Sequence, residues 1–216
     1  MAYWLRNELS EKTDERGMNL AVDRGLGTQL ELELQDGAPL TDDVKSRSYS
    51  KIFITRCKSN CWPHVIEGIP GFLFVTQTAK NIVEDLEPNI HEFVPLEVED
   101  HSGNADVRMF LLHCRNRIQA VIINKSEDVY VKQRPPELIN GRWVTYSRGL
   151  LGGGQPRMLV LDSNRIAGKH LWTGLRLQFG GRYFCSEALK AAFDKIDSGL
   201  RFDFVREQPG EPGDQY

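Results

Sequence analysis

The chain has 216 residues, of which 40% are hydrophobic and 26% charged, so it is long enough to bury one substantial core. Its formal net charge of −3 argues against a general nucleic-acid-binding protein, which would usually be basic. Because no apolar run approaches the roughly 18 residues of a membrane span, and charges interrupt the N-terminal segment, we expect a cytoplasmic protein without a signal peptide.

Short apolar runs predict the first strands. The run AYWLR at residues 2–6 is one, and KIFIT at residues 51–55 is another. Between them, TQLELELQDG at residues 28–37 alternates leucine with polar residues, which is the period of two expected of a half-buried strand.

Two later segments share one pattern, beginning at Gly71 (GFLFVTQTAKNIVEDLEPNIHEF) and at Gly181 (GRYFCSEALKAAFDKIDSGLRF). In each, four apolar residues recur at i, i+3, i+4 and i+7, which places them on one helical face. They are Ala79, Ile82, Val83 and Leu86 in the first segment, and Leu189, Ala192, Phe193 and Ile196 in the second. Each segment therefore predicts a strand, a helix and a second strand.

The intervening and final segments complete the prediction. The sequence VRMFLLHCRNRIQAVIINKSEDVYV predicts strands on both sides of a turn near Arg115–Arg117, and MLVLD at residues 158–162 predicts a buried strand. The fold class is α+β, with a mostly antiparallel or mixed sheet and two short amphipathic helices in similar strand-helix-strand units. We expect one domain over residues 1–205, with sub-lobes at about 1–64 and 65–205 as the alternative, and a disordered tail at 206–216 that is rich in proline, glycine and charge.

Ser186 and Lys190 raise the question of nucleophilic chemistry. Ser186 precedes the second predicted helix, where a hydroxyl accepts an unpaired first-turn N–H group, and Thr76 occupies the same place before the first helix. A cap tolerates the exchange of serine for threonine, whereas a nucleophile does not readily do so. Ser-x-x-x-Lys also differs from the Ser-x-x-Lys spacing of acyl-transfer enzymes. We predict helix caps and no enzyme activity.

Two further motifs contain residue types found in metal and phosphate sites. Cys57, Cys61 and His64 could offer three metal ligands within one loop, but structural zinc takes four and no second Cys-x-x-Cys pair is present, so we expect reduced thiols and no metal or cofactor. The glycine-rich GLLGGGQPR lacks the lysine and hydroxyl of a phosphate-binding loop. A ligand-binding or enzymatic pocket near this loop, with His113 or His170, is retained as an alternative function.

A charged segment is the stronger candidate. Residues 81–100 contain seven carboxylates and no lysine or arginine. Such a surface would attract a basic protein partner and accelerate association, although a solvated helix end and strand rim would have the same composition. RWVTYSR adds arginine and aromatic residues of the kind found at interfaces. The candidate partner-binding residues are Glu84, Asp85, Glu87, Glu92, Glu97, Glu99, Asp100, Trp143, Tyr146 and Arg148.

Three blocks of the chain resemble a known family. The segments GFLFVTQTAKNIVEDLEPNIHEFVPLEVED, MFLLHCRNRIQAVIINKSED and RIAGKHLWTGLRLQFGGRYFCSEALKAAFDKIDSGLRFDFV are similar to the ordered blocks of immunity protein family eleven, which is linked to bacterial polymorphic toxins. The resemblance covers about residues 65 to 205, and Thr76-Gln77 stands where a Ser-Glu pair would match better.

The resemblance implies a non-enzymatic role. Such a protein would bind a cognate toxin, occlude its active site and so neutralise it in the bacterial cytoplasm. The family supplies no catalytic residues to carry over to this sequence. An adaptor protein without a toxin partner is the other alternative.

Overall fold

The computed structural model of the chain describes residues 1–7, 20–22, 37, 39–42, 45, 51–54, 63–69, 72–100, 103–104, 107–127, 129–133, 137–139, 142–144, 147–151, 158–174, 183–196 and 198–216. Two α-helices are described over their whole length, α1 (Gln77–Leu86) and α2 (Glu187–Asp194), together with a 3-10 turn at Ile123–Lys125. The strands in chain order are β1 Ala2–Asn7, β2 Leu20–Val22, β3 Lys51–Ile54, β4 Val65–Ile69, β5 Phe72–Thr76, β6 Glu92–Asp100, β7 Gly103–Asn104, β8 Met109–His113, β9 Arg117–Ile118, β10 Val129–Gln133, β11 Glu137–Ile139, β12 Arg142–Val144, β13 Ser147–Leu151, β14 Val160–Asp162, β15 Leu171–Gly174, β16 Tyr183–Ser186 and β17 Leu200–Gln208.

The strands form two large sheets and two hairpin-like pairs. One sheet has the order β2-β3-β6-β8-β5-β4, with β7 beside β6, and the other has the order β14-β17-β1-β16-β15-β9. Strands β10 and β13 pair with each other, as do β11 and β12. The α+β prediction is confirmed, and so are the strands predicted at AYWLR, KIFIT, MFLLH and MLVLD. The predicted strand at TQLELELQDG lies outside the described residues except for Gly37.

The two strand-helix-strand units are halves of an internally repeated architecture. In the first half, β8 lies between β5 and β6 and pairs antiparallel with both, while β3 lies parallel beside β6. In the second half, β1 lies between β16 and β17 and pairs antiparallel with both, while β14 lies parallel beside β17. The N-terminal strand therefore occupies in the second half the place that β8 occupies in the first.

The residue registers of the halves agree position by position. Thr76 is opposite Met109, which is opposite Leu96. Ser186 is opposite Ala2, which is opposite Val205. His64 precedes β4 as His170 precedes β15, and Val65 and Leu171 face equivalent residues of β5 and β16. This correspondence lets each half serve as a reference for the other.

Both helices bury one face in a common core. Ala79 and Val83 of α1 are buried, as are Leu189 and Phe193 of α2, in the spacing that the sequence pattern predicts. These side chains belong to one cluster that also contains strand residues of both halves, from Leu5 to Cys185. A fully buried Leu or Phe side chain contributes about 1.5–3 kcal/mol through the area it removes from water. The helix faces thus hold the two halves together.

The prediction of a disordered tail at residues 206–216 is wrong. Strand β17 continues to Gln208, and the carboxylate of Asp162 accepts hydrogen bonds from the Tyr216 hydroxyl (2.7 Å) and the Gly210 N–H (3.0 Å). The Arg165 guanidinium lies 3.5 Å from the centre of the Tyr216 ring, and Lys125 forms ion pairs with Glu211 and Asp214. These specific bonds order a segment whose composition indicates disorder.

Candidate functional site

Each helix start places a hydroxyl against an imidazole. Ser186 Oγ lies 2.8 Å from His170 Nδ1, and Thr76 Oγ1 lies 2.8 Å from His64 Nδ1. A serine oxygen at hydrogen-bonding distance from a histidine nitrogen is also the arrangement of an activated nucleophile. The other hydrogen bonds of each hydroxyl therefore decide whether the pair is a nucleophile with its base or a helix cap.

The remaining bonds are those of helix caps. Ser186 Oγ accepts the Leu189 N–H (3.3 Å), and Thr76 Oγ1 accepts the Ala79 N–H (3.5 Å). In each half the backbone N–H of the capping residue also donates to the carbonyl of its histidine, over 3.0 and 2.9 Å. The prediction that Thr76 and Ser186 are N-caps is confirmed. Since the second half repeats the arrangement of the first with a different hydroxyl residue, the histidines are best understood as orienting the caps.

Lys190 is held in an equally structural position. Its ammonium forms an ion pair with Asp194 and lies 5.5 Å from the ring centres of Tyr3 and Phe202. Attraction between a cation and an aromatic face holds the side chain along the sheet. The counterpart in the first half, Lys80, pairs with Glu84 and lies over Phe93 and Phe110.

A buried carboxylate joins the first half to the second. Glu87 is 6% exposed, and its side-chain oxygens accept hydrogen bonds from His91 Nε2 (2.7 Å), Asn116 Nδ2 (2.9 Å), the His170 N–H (3.0 Å) and the Leu171 N–H (2.9 Å). Four donors compensate for the loss of hydration of one buried charge. The end of α1 is thereby tied to the start of β15.

A backbone hydrogen bond also joins the second half to the first. The Val65 N–H at the start of β4 donates to the Ser198 carbonyl over 3.1 Å, just after α2. Gly199 follows with φ +77°, and a Cβ there would lie 2.9 Å from Pro63 Cβ. Glycine is required at this position both by the left-handed backbone and by the close approach.

The junction between the two halves, formed by Glu87, His91 and the groups that contact them, contains titratable groups with shifted pKa values. Burial raises the pKa of Glu87, but the bond from His91 and the backbone donors outweigh it and hold that pKa below its ordinary value. Burial lowers the pKa of His91, but hydrogen bonds with Cys114 and Glu87 outweigh it and raise that pKa to about 9. Glu87 therefore favours the protonated form of the His91 ring. A protonated Nδ1 cannot accept the Arg115 N–H, which lies 3.3 Å away, and would donate to the Cys114 sulfur instead.

Glu87, His91 and Cys114 thus form a Glu–His–Cys row that superficially resembles a catalytic triad. All three are buried, and the Cys114 sulfur contacts the carbonyl oxygens of Asn116 and Leu171 at 3.8 Å. A reactive cysteine is at least partly exposed to solvent, whereas Cys114 is fully buried. The row is placed to stabilise the junction of the halves.

The structure separates the predicted acidic residues into different environments. Asp85 lies exposed on α1, and Glu84 on the same helix is paired with Lys80. Glu87 cannot contact a partner because it is buried in the junction, so its assignment to the partner-binding surface is corrected. The acidic run is therefore not one continuous surface.

Strand β6 divides its carboxylates between two faces, because successive side chains of a strand point in opposite directions. Glu97 is exposed and Glu99 half-buried on the face that carries α1, the face of Phe93 beneath Lys80. Glu92 lies on the opposite face, where it accepts the Leu40 N–H (2.7 Å) and approaches Lys45 (3.7 Å). The backbone of Asp100 pairs with Ile54 at the end of the strand.

The remaining predicted site residues are placed in part. In the backbone register, Trp143 is opposite Leu138 in the β11–β12 hairpin, and Arg148 is opposite Lys132 between β10 and β13. Tyr146, Cys57, Cys61 and most of the glycine-rich loop lie outside the described residues. Within the described ranges there is no cluster of three or more potential metal-ligating residues, and His113 is fully buried on β8.

One exposed surface feature has only a weak signal in the sequence. Phe204 is 64% exposed on β17, and Arg206 is exposed two residues further along the same face. The alternation of Leu200, Phe202 and Phe204 was the available signal, since only a strand places all three on one face. A count of apolar residues could not tell which of them the helix covers.

The model of a family described as "Immunity protein family (Imm11)" matches residues 3–206. A search of the curated proteins finds no match to this chain. The two α-helices of the described part of the chain, with 10 and 8 residues, are too short to span a bilayer.

Proposed function

The chain belongs to the immunity protein family Imm11, and from this premise we propose that it binds a cognate bacterial toxin and neutralises it by occluding the toxin's active site. The observation that carries the proposal is the family match over residues 3–206. The duplicated Ser186–His170 and Thr76–His64 pairs support it, because their hydroxyls are occupied in capping helices. Neutralisation takes place in the cytoplasm and requires no cofactor.

The acidic residues that face solvent form the first part of the proposed contact surface. Asp85 and Glu97 are exposed, and Glu99 is half-buried. They belong to residues 81–100, a segment that itself contains no lysine or arginine. Exposed carboxylates attract a basic toxin surface and raise the association rate more than the affinity itself. The hairpins that carry Trp143 and Arg148 complete the proposed surface.

Co-expression tests the proposal directly. A candidate toxin gene, sought next to this gene in its genome, is expressed with and without the chain, and survival and co-purification are both scored. We expect the chain to restore growth and to co-purify with the toxin in a fixed ratio. Growth arrest despite soluble chain, with no co-purification, contradicts the proposed function.

Single charge reversals test the acidic surface. Asp85→Lys and Glu97→Lys should each slow toxin association several-fold at low ionic strength and much less at high salt, since screening removes the steering. Glu127→Lys is the matched control, because Glu127 is exposed, lies outside the acidic segment and undergoes the same change of charge. Glu92 is left unchanged because its reversal would also break the bond to Leu40. Equal association rates for all three variants would refute the surface assignment.

A further inference from the structure

The last strand of each unit exposes equivalent residues beside its helix. In β6 these are Pro95 and Glu97, and in β17 they are Phe204 and Arg206. The registers match, because Pro95 is opposite Phe110 and Phe204 is opposite Tyr3, and these opposite residues are themselves equivalent. The two halves therefore present the same backbone surface with different chemistry.

The fold does not require an aromatic residue at position 204. In the first half the equivalent Pro95 is also exposed. The aromatic contacts of each core are made two residues earlier, by Phe93 beneath Lys80 and by Phe202 beneath Lys190. Phe204 is 64% exposed, so its ring remains largely in contact with water in the isolated chain. Removing it from water requires another molecule.

The Phe204 ring contacts an aromatic ring of the neighbouring strand β1. It contacts Tyr3 edge to face, with ring centres 6.0 Å apart and an angle of 76° between the planes. Tyr3 lies in turn beneath the ammonium of Lys190. An aromatic ring that is already oriented loses little conformational freedom when a partner covers it, which favours tight binding.

Arg206 gives this surface a charge that its own strand does not neutralise. Asp203 and Glu207 alternate onto the opposite face of β17, where Asp203 pairs with Arg201. Within the described part of the chain, Arg206 takes part in no ion pair. Arginine beside an exposed aromatic residue is the composition typical of energetic centres of protein interfaces.

We infer that Phe204 is the anchor of the toxin contact and that Arg206 fixes its orientation. The inference rests on the proposed function. The toxin surface that fits would carry an apolar pocket for the ring, bordered by a carboxylate for the guanidinium. The acidic residues Asp85 and Glu97 would then set the rate of encounter, whereas Phe204 sets the rate of dissociation.

The binding kinetics of Phe204→Ala with the purified toxin test the inference. We expect the affinity to fall about a hundredfold, nearly all of it as faster dissociation, which is the range of an interface hot spot. Ile90→Ala is the matched control, because Ile90 is an exposed apolar residue of the first half, and it should change affinity less than about threefold. Arg206→Glu should weaken binding about tenfold, and Arg201→Glu, on the opposite face, much less.

The outcomes separate this inference from the proposed function. Failure of the wild-type chain to bind the toxin overturns both. Wild-type binding with unchanged dissociation from Phe204→Ala overturns the anchor and leaves the proposed function standing. If Phe204→Ala instead converts a wild-type dimer into a monomer in sedimentation experiments and keeps its toxin affinity, the ring's partner is a second copy of the chain and the anchor is again refuted. Thermal unfolding of Phe204→Ala should match wild type, since the ring is largely exposed.

Discussion

Replacing Glu87 by glutamine tests the junction between the halves. The carboxylate accepts from His91 Nε2, Asn116 Nδ2 and the N–H groups of His170 and Leu171, all within 3.0 Å. Glutamine keeps one oxygen but turns its amide donors toward at least two buried donors. A buried donor left without an acceptor costs about 1–3 kcal/mol, and loss of one member of a buried ion pair costs about 3–5 kcal/mol.

We therefore expect Glu87→Gln to lower the free energy of unfolding by on the order of 3 kcal/mol. For a chain of this length each kcal/mol lowers Tm by about 2–4 °C. Urea unfolding followed by circular dichroism measures the change, with an unchanged dependence on urea as the sign that the unfolded state is unaffected. Glu84→Gln is the control, because its ion pair with Lys80 is partly exposed and contributes about 0–1 kcal/mol. Equal unfolding midpoints for the two variants would show that the Glu87 network does not stabilise the junction.

Two further predictions concern the caps and the junction histidine. Ser186→Ala and Thr76→Ala should each destabilise the fold by about 0.5–2 kcal/mol in urea unfolding through loss of an N-cap, and toxin binding should persist below the unfolding temperature; loss of toxin binding by a folded Ser186→Ala variant would contradict the structural role. The pKa of His91 is raised from 6.5 to about 9. The contribution of protonated His91 to the free energy of unfolding should therefore be complete below about pH 6.5 and be lost as the pH rises through 9. His91→Gln should flatten that decline in a series of unfolding measurements from pH 6 to pH 10, and a decline of the same size in both proteins would refute the assignment.

Local features of the sequence are sufficient to predict the two units. The apolar spacing of Ala79 to Leu86 and of Leu189 to Ile196 specifies each buried helix face, and a hydroxyl stands directly before each helix. Cap and amphipathic face depend on residues within one or two turns of each other. The repeated pattern therefore reveals the secondary structure of both halves without tertiary information.

The features that sequence analysis missed depend on distant residues. Glu87 resembles a solvated helix end in an acidic run, but one of its donors, the Leu171 N–H, is 84 residues away. Tyr216 is ordered by Asp162, 54 residues earlier. In the second half β1 takes the place that β8 has in the first, so that the N-terminal strand pairs with β17 near the other end of the chain. Such long-range pairing leaves no periodic signal in a single sequence.

Calorimetric titration of the purified chain with its proposed cognate toxin is the decisive test of whether this protein acts by binding another protein. We expect saturable binding at a fixed ratio, together with inhibition of the toxin that rises in parallel with occupancy. Full toxin activity at concentrations of chain that saturate the titration, or no binding heat and no complex on a sizing column, would contradict it.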